Sequence, residues 1–177
     1  MNDAYNWASQ FGEMFVSCCE EYEDDNKDYL AWFDDDDLEF LKSIGYKPRE
    51  LFDFVEDCCG SEGGEPSPET ALLIASVRRD YFLVEQKGQS SAKVLSPEEL
   101  PAKTAELEGV VWLPRIIAKA EAKLRGEMDD DTMFGCGGDR AFLSKYHLHP
   151  ADFLRVVWAA KEDKSKILSF VTTGKYL

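Results

Sequence analysis

One glycine-rich segment carries a cysteine, an aspartate and an arginine, and it is the part of the chain best suited to chemistry. It reads Phe134-Gly135-Cys136-Gly137-Gly138-Asp139-Arg140. Where such backbone runs into a helix start, exposed N–H groups and the positive end of the helix dipole favour an anion. Arg140 would add a charge-assisted contact, and Cys136 would be a more reactive thiol. The segment therefore predicts a small-molecule or anion site.

Basic residues on the preceding predicted helix would extend this site. Arg115, Lys119 and Lys123 recur at steps of four and so share one helix face, where they would form a basic surface. The candidate ligand-binding residues are Arg115, Lys119, Cys136, Gly137, Gly138, Asp139, Arg140 and His147. A structural interpretation stays open, in which the glycines serve a tight turn, Asp139 caps a helix and Cys136 is buried. The spacing matches no Walker or dinucleotide-binding fingerprint.

The two histidines, His147 and His149, fall in a predicted turn ahead of Pro150. On a strand, residues two apart would share a face and bind one metal ion, but no acidic residue or cysteine nearby has a recognised ligand spacing. His147 acting as a base for Cys136 would require the fold to join residues eleven positions apart. We therefore predict no metal site and assign no catalytic residue.

The five cysteines lie at positions 18, 19, 58, 59 and 136. An odd count, adjacent pairs and the lack of C-x-x-C spacing favour reduced thiols over disulfides or zinc. The acidic runs 34–37 and 129–131 lack the alternating ligands and central glycine of a calcium-binding loop. We expect neither a cofactor nor a metal.

Two amphipathic helices would hold the candidate segment in place. The first runs from about Asn6 to Glu23, with an apolar stripe at Trp7, Phe11, Met14, Phe15, Cys18 and Tyr22. The second begins around Pro114 and ends at Gly126, with a stripe at Leu113, Ile116, Ile117, Ala120 and Leu124. Both stripes follow the spacing of one helix face, so each helix should pack one side against a core.

A shift of 102 residues superimposes these two stripes without a gap. The same shift carries Asp37 onto Asp139, which we place at N-cap positions, and Pro48 onto Pro150 in the first turn of the next helix. A last helix would close each copy, near 68–84 and 164–172. The sequence therefore predicts an all-α fold, a tandem duplication of a four-helix module. The copies, residues 1–88 and 89–177, would pack as one unit.

The connection between the copies allows two interpretations. Tyr81–Glu85 either continues a helix, which we favour, or pairs as a strand with Lys93–Leu95 in a small hairpin. Farther on, Ser96-Pro97-Glu98-Glu99 has the form of a capping box that opens a short helix.

The net charge of −15 comes wholly from the first part of the chain. Residues 1–66 hold 19 Asp and Glu against 4 Lys and Arg, whereas residues 67–177 hold 16 of each sign. Direct nucleic-acid binding is not expected, because phosphate contacts need basic residues. No signal peptide or membrane span is predicted, so we expect a soluble, cytoplasmic protein.

The second half resembles a bacterial family catalogued as domain of unknown function 5069. The residues that carry the resemblance are Leu113-Pro114-Arg115, Ile117, Lys119, Ala122, Lys123, Leu124, Gly126, Gly135-Cys136, Asp139-Arg140 and Phe142-Leu143, followed by the helices to Val171. It covers about residues 101–174. The family has a bulkier pair where this chain has Gly137-Gly138. The resemblance implies a small helical domain and a bacterial, cytoplasmic setting, but no activity. The first half keeps chiefly the apolar register and Asp37.

Three functions are compatible with these features. The charge partition, together with the missing catalytic signature, favours a non-enzymatic module that binds another protein, and a basic protein is one candidate. The alternative is a small-molecule or anion-binding protein, which includes an enzyme, centred on Cys136–Arg140. A structural, oligomerising domain would instead expose an apolar patch at a two-fold contact. If residues 20–25 and 34–37 form one acidic face, the basic-partner hypothesis gains support.

Overall fold

Eight α-helices make up most of the structure, a computed structural model that describes residues 6–26, 28–61 and 63–175. They are α1 Trp7–Glu23, α2 Asp35–Ser43, α3 Pro48–Gly60, α4 Pro68–Val84, α5 Leu113–Arg125, α6 Gly137–Lys145, α7 Pro150–Ala160 and α8 Lys164–Thr173. Short 3-10 helices occupy Tyr29–Trp32 and Pro97–Glu99. The predicted all-α fold is confirmed. None of the described helices is both long and apolar enough to cross a membrane.

Prolines lie at the first or second position of helices α3, α4, α5 and α7. Pro48, Pro68 and Pro150 each open a helix, and Pro114 is the second residue of α5. At these positions the missing proline N–H has no partner within the helix, so nothing is lost. The predicted limits of α1 and of α5 agree with the structure to within a residue or so.

The predicted N-cap positions of Asp37 and Asp139 are wrong by three residues. The N-cap residues are Asp34 and Cys136, so each of the two aspartates is the third residue of its helix. There a carboxylate reaches back to the backbone ahead of the helix. Asp37 accepts the Asp34 N–H at 3.3 Å, and Asp139 accepts the Gly135 N–H at 3.0 Å.

The connection between the halves is helical where we favoured a helix. Tyr81 lies inside α4, and the small hairpin lies farther along, with β1 Glu106–Leu107 antiparallel to β2 Val110–Val111. Leu95 instead pairs with the segment after α5, because its N–H donates to the Glu127 carbonyl at 2.7 Å. The Ser96 N–H donates to Glu99 at 2.9 Å, as the capping pattern predicts.

A single cluster of buried apolar side chains spans both halves of the chain. Helix α4 packs against α1 on the first-half side and against α5 and α7 on the second-half side. Helix α1 also packs on α3, and α7 packs on α5 and α8. The buried faces of α1 and α5 are the stripes read from the sequence, which include Phe11, Phe15, Ile116 and Ile117. The boundary between the two copies, placed near residue 88 from the sequence, stays a prediction.

Helix bounds support the duplication, which itself stays a prediction. Helices α2 and α6 differ by 102 residues at both ends, α3 and α7 by 102 at their starts, and α1 and α5 by 102 at their ends. The residue in the left-handed region after α2 is Gly45, with φ 71°, and its counterpart after α6 is His147, with φ 56°. The register proposed from apolar residues is therefore also the register of the backbone.

We predict that Gly45→Ala destabilises the protein more than Gly109→Ala does. Both glycines have positive φ, so alanine costs about 1 kcal/mol of backbone strain at either site. At Gly45 the added Cβ would also lie 2.5 Å from Cγ of Phe82, whereas nothing lies within 4 Å at Gly109. Overpacking adds about 1–3 kcal/mol. Urea unfolding measures both variants, and equal losses would contradict the packing described at Phe82.

Candidate functional site

The carboxylate of Asp139 lies at the centre of the candidate segment and is fully buried. One oxygen accepts the indole N–H of Trp112 at 2.9 Å. The other accepts the Gly135 N–H at 3.0 Å and contacts the ammonium of Lys119. A buried carboxylate is stable only when it is paired and hydrogen-bonded, and here both oxygens have partners.

Lys119 reaches Asp139 from the core-facing side of α5. Its side chain is only about 4% exposed, and its ammonium also donates to Sγ of Cys136 at 3.2 Å. The long aliphatic stem packs among apolar residues while the charge meets its partner at the end. Lys119, Cys136 and Asp139 therefore form one contact group, which the sequence analysis placed together.

One glycine of the segment, Gly138, makes room for an indole ring. A Cβ at Gly138 would lie 2.7 Å from Cζ2 of Trp112, closer than such atoms approach. Trp112 itself precedes α5 with φ 76°, an uncommon conformation for a bulky residue. Gly137 and Gly138 are exposed, and Gly138 permits the contact that ties Trp112 to Asp139. This contact requires a residue without a Cβ at position 138.

The two arginines of the predicted site also have partners in the protein. Arg140 donates to the Gly135 carbonyl and to Asp57 of α3, both at 2.7 Å. Arg115 donates to the Pro101 carbonyl at 2.7 Å and lies 6.0 Å from the Trp112 ring centroid. Through Trp112, Arg115 therefore joins the group around Asp139, whereas Arg140 links the segment to the first half.

His147 does not join this group. It is exposed and follows the C-terminal end of α6, whereas Cys136 precedes its start. Nine helical residues at 1.5 Å each separate the two ends by about 14 Å. The fold therefore does not bring His147 to Cys136. His149 accepts the Ala151 N–H at 3.1 Å and caps α7.

Lys119 and Lys123 do not form the predicted basic surface, because both are buried. The Lys123 ammonium lies 2.8 Å from Glu50 and 3.0 Å from the Tyr46 hydroxyl, and 4.2 Å from the Tyr46 ring centroid. Glu50 is the third residue of α3 and accepts the Lys47 N–H at 2.9 Å. Burial lowers the pKa of Lys123, an effect that Glu50 opposes. The Lys123–Glu50 pair thus repeats the arrangement of the Lys119–Asp139 pair, in which a buried lysine of α5 meets a carboxylate at the third position of another helix.

Sequence reasoning missed Trp112, Glu50 and Tyr46. None of them has a motif. Glu50 and Tyr46 lie 73 and 77 residues from Lys123, and Trp112 contacts Asp139, 27 residues away. The available signal was the position of the two lysines, which border the apolar stripe of α5 at Ile116 and Ala120. A charge at the edge of a buried stripe requires a partner from another element.

A cavity of about 380 Å³ lies beside the segment, between the start of α4 and the facing surfaces of α6 and α7. Its walls are largely apolar, with Ile74, Leu143 and Pro150, and Gly135 and Arg140 lie at one side. Of the predicted ligand-binding residues, Arg140 alone is among the described residues that line this cavity.

Residues 98–175 match the model of a family described as a domain of unknown function, DUF5069. The resemblance of the second half is thereby confirmed, and it includes the segment around Asp139. No curated protein and no solved structure shows a significant match to the chain. The family assigns no activity, so ligand binding by the candidate residues stays a prediction.

We predict that Asp139→Asn destabilises the protein by about 3–5 kcal/mol, because it leaves the ammonium of Lys119 buried without a counter-charge. The matched control is Asp57→Asn, which breaks the partly exposed pair with Arg140 and should cost about 1 kcal/mol or less. Urea unfolding followed by circular dichroism compares them. If both variants lose the same small amount, the Lys119–Asp139 pair is not the constraint described here.

Proposed function

We propose that this protein is a non-enzymatic interaction module that binds a basic protein through its first half. The acidic surface consists of residues 20–25 at the end of α1 and residues 34–37 at the start of α2. The proposal also draws on the partition of charge, because the whole net charge of −15 resides in residues 1–66.

The observation that carries the proposal is that the two acidic stretches adjoin. The 3-10 helix between them lies beside α1, because Trp32 lines a cavity together with Ser17 of that helix. Asp37 of the second stretch lines the same cavity, and Ser17 lies three residues before the start of the first stretch on α1. This proximity supports one negative region. Burial raises the pKa of the Cys18 thiol to about 12, and Asp37 and Glu21 add to the shift, which accords with that proximity.

Three basic side chains of the second half are engaged elsewhere and do not neutralise this region. Lys119, Lys123 and Arg140 are engaged with Asp139, Glu50 and Asp57, none of which belongs to the acidic surface. In contrast, Asp34, Asp35, Asp36 and most of residues 20–25 are exposed. A concentrated field of one sign attracts an oppositely charged partner and accelerates its association.

The alternative, small-molecule binding near Cys136–Arg140, draws support from the cavity of about 380 Å³ beside Gly135 and Arg140. It predicts a retained small mass when the protein is purified gently and analysed by native mass spectrometry. Leu143→Trp, which fills the cavity, should then remove that mass. A chain that carries a protein partner and no small mass would decide against the alternative.

We predict that Asp35→Lys/Asp36→Lys weakens partner binding at least tenfold. The matched control is Asp130→Lys/Asp131→Lys, which reverses the same charge at exposed aspartates of the second half. The immobilised proteins are incubated with lysate from the source cells, and each bound protein is quantified by mass spectrometry. Specific partners should be basic and should be lost with the first variant but retained with the second.

Salt provides the second arm of this experiment. The Debye length, over which dissolved ions screen a charge, shortens from about 8 Å at physiological salt to about 3 Å at 1 M. Binding between exposed charges should therefore be largely lost at 0.5 M. Binding that survives 0.5 M salt, or that responds equally to both variants, would contradict an interaction through the acidic surface.

A further inference from the structure

A cavity of about 340 Å³ opens on the first half between α1 and α2. Helix α1 lines it with Gln10, Glu13 and Ser17, α2 contributes Asp37, and Trp32 of the intervening 3-10 helix contributes its ring. The remaining described lining residues, Met14 and Cys18, are buried and form the floor. Every described side chain in this lining is neutral or acidic.

The shift of 102 residues places this cavity where the second half holds its buried lysine. Ser17 corresponds to Lys119, and Asp37 corresponds to Asp139, the carboxylate that holds the Lys119 ammonium. Both aspartates are the third residue of their helix and accept a backbone N–H ahead of it. The first half therefore has a carboxylate at the same position as the second half, but it has the short side chain of Ser17 where the second half has Lys119.

The neighbouring positions change in the same direction. Gln10 stands where the second half has Trp112, and Glu13 stands where it has Arg115. A cation and a bulky ring are thus replaced by an acid and a smaller amide, both of which line the cavity. At the corresponding positions, the side chains that line the cavity are therefore smaller and more acidic than those of the second half.

The lining has the chemistry of an alkylammonium site. Carboxylates at Glu13 and Asp37 supply opposite charge, the Ser17 hydroxyl supplies an acceptor, and Trp32 supplies an aromatic face of the kind that attracts ammonium groups. Burial raises the pKa of the Cys18 thiol at the floor of the cavity, and Asp37 and Glu21 add to the shift, which accords with a negative potential there.

We propose that this cavity binds the ammonium group of a lysine side chain presented by a basic partner protein. Asp37 receives that lysine as Asp139 receives Lys119. The inference rests on the proposed function and deepens it, because it assigns one lysine of the partner to one place within the acidic surface. The surrounding carboxylates of residues 20–25 and 34–36 would contact further basic residues of the same partner.

The test uses a variant of the protein whose own side chain should occupy the cavity. Ser17→Lys introduces at position 17 the side chain that the second half has at Lys119, so its own ammonium should occupy the site beside Asp37. The matched control is Val16→Lys, which adds the same charge at an exposed neighbouring position of α1 that does not line the cavity. Thermal unfolding by circular dichroism shows whether each variant is folded.

The probe is N-acetylated, C-amidated octalysine, titrated into the full chain and followed by 15N-resolved NMR and by tryptophan fluorescence. For the wild type we expect shifts concentrated at residues 10–18 and 32–37. Ser17→Lys should weaken peptide binding at least tenfold, and Val16→Lys about threefold or less. Spermidine at equal concentration should bind at least tenfold more weakly than octalysine, since it cannot span the surrounding carboxylates.

Three results would overturn the inference. Equal weakening by Ser17→Lys and Val16→Lys would mean that the acidic surface binds the peptide but that the cavity has no specific role. Spermidine binding as tightly as octalysine would make the ligand a free polyamine. If octalysine causes no shifts anywhere in residues 10–37, the proposed function fails together with the cavity.

Discussion

Two ammonium groups buried on one helix are the constraint on which the rest of this fold depends. Lys119 and Lys123 lie four residues apart on α5, and each is nearly inaccessible to solvent. A charge removed from water costs several kcal/mol unless a counter-charge and hydrogen bonds replace the hydration shell. The two carboxylates that do so, on Asp139 and Glu50, are both third residues of helices. Helix α5 is therefore fixed against α6 by one pair and against α3 by the other.

This arrangement explains why the halves share one core. The pair of Lys123 and Glu50 joins the second half to the first, and so does the contact of Arg140 with Asp57. Helix α4 adds the apolar part of the same junction, because it packs on α1, α5 and α7. Lys119, Lys123 and Arg140 of the second half thus serve to hold the structure together. The acidic residues 34–36 of the first half are instead exposed, where the proposed partner would bind.

Sequence alone predicted the elements better than the site. Apolar stripes and prolines indicated the limits of α1 and α5 and the starts of α3 and α7, because local patterning decides where a helix lies. The structure brings Lys119, Cys136 and Asp139 of the candidate site into contact, whereas His147 lies apart. Ligand binding there stays a prediction, but the sequence did not show that Gly138 accommodates Trp112 or that the cations are paired within the protein. The pairs join residues 20 to 83 positions apart, and no local pattern encodes them.

The most direct test of the buried-charge account is a double-mutant cycle between Lys123 and Glu50, measured by urea unfolding. Lys123→Met leaves the Glu50 carboxylate buried without its cation, and Glu50→Gln leaves the ammonium of Lys123 without its anion. Each single variant should lose about 3–5 kcal/mol, and the double variant should lose much less than the sum, because no unpaired charge is left. Losses that add across the cycle would contradict the claim that pairing of buried charges holds the two halves together.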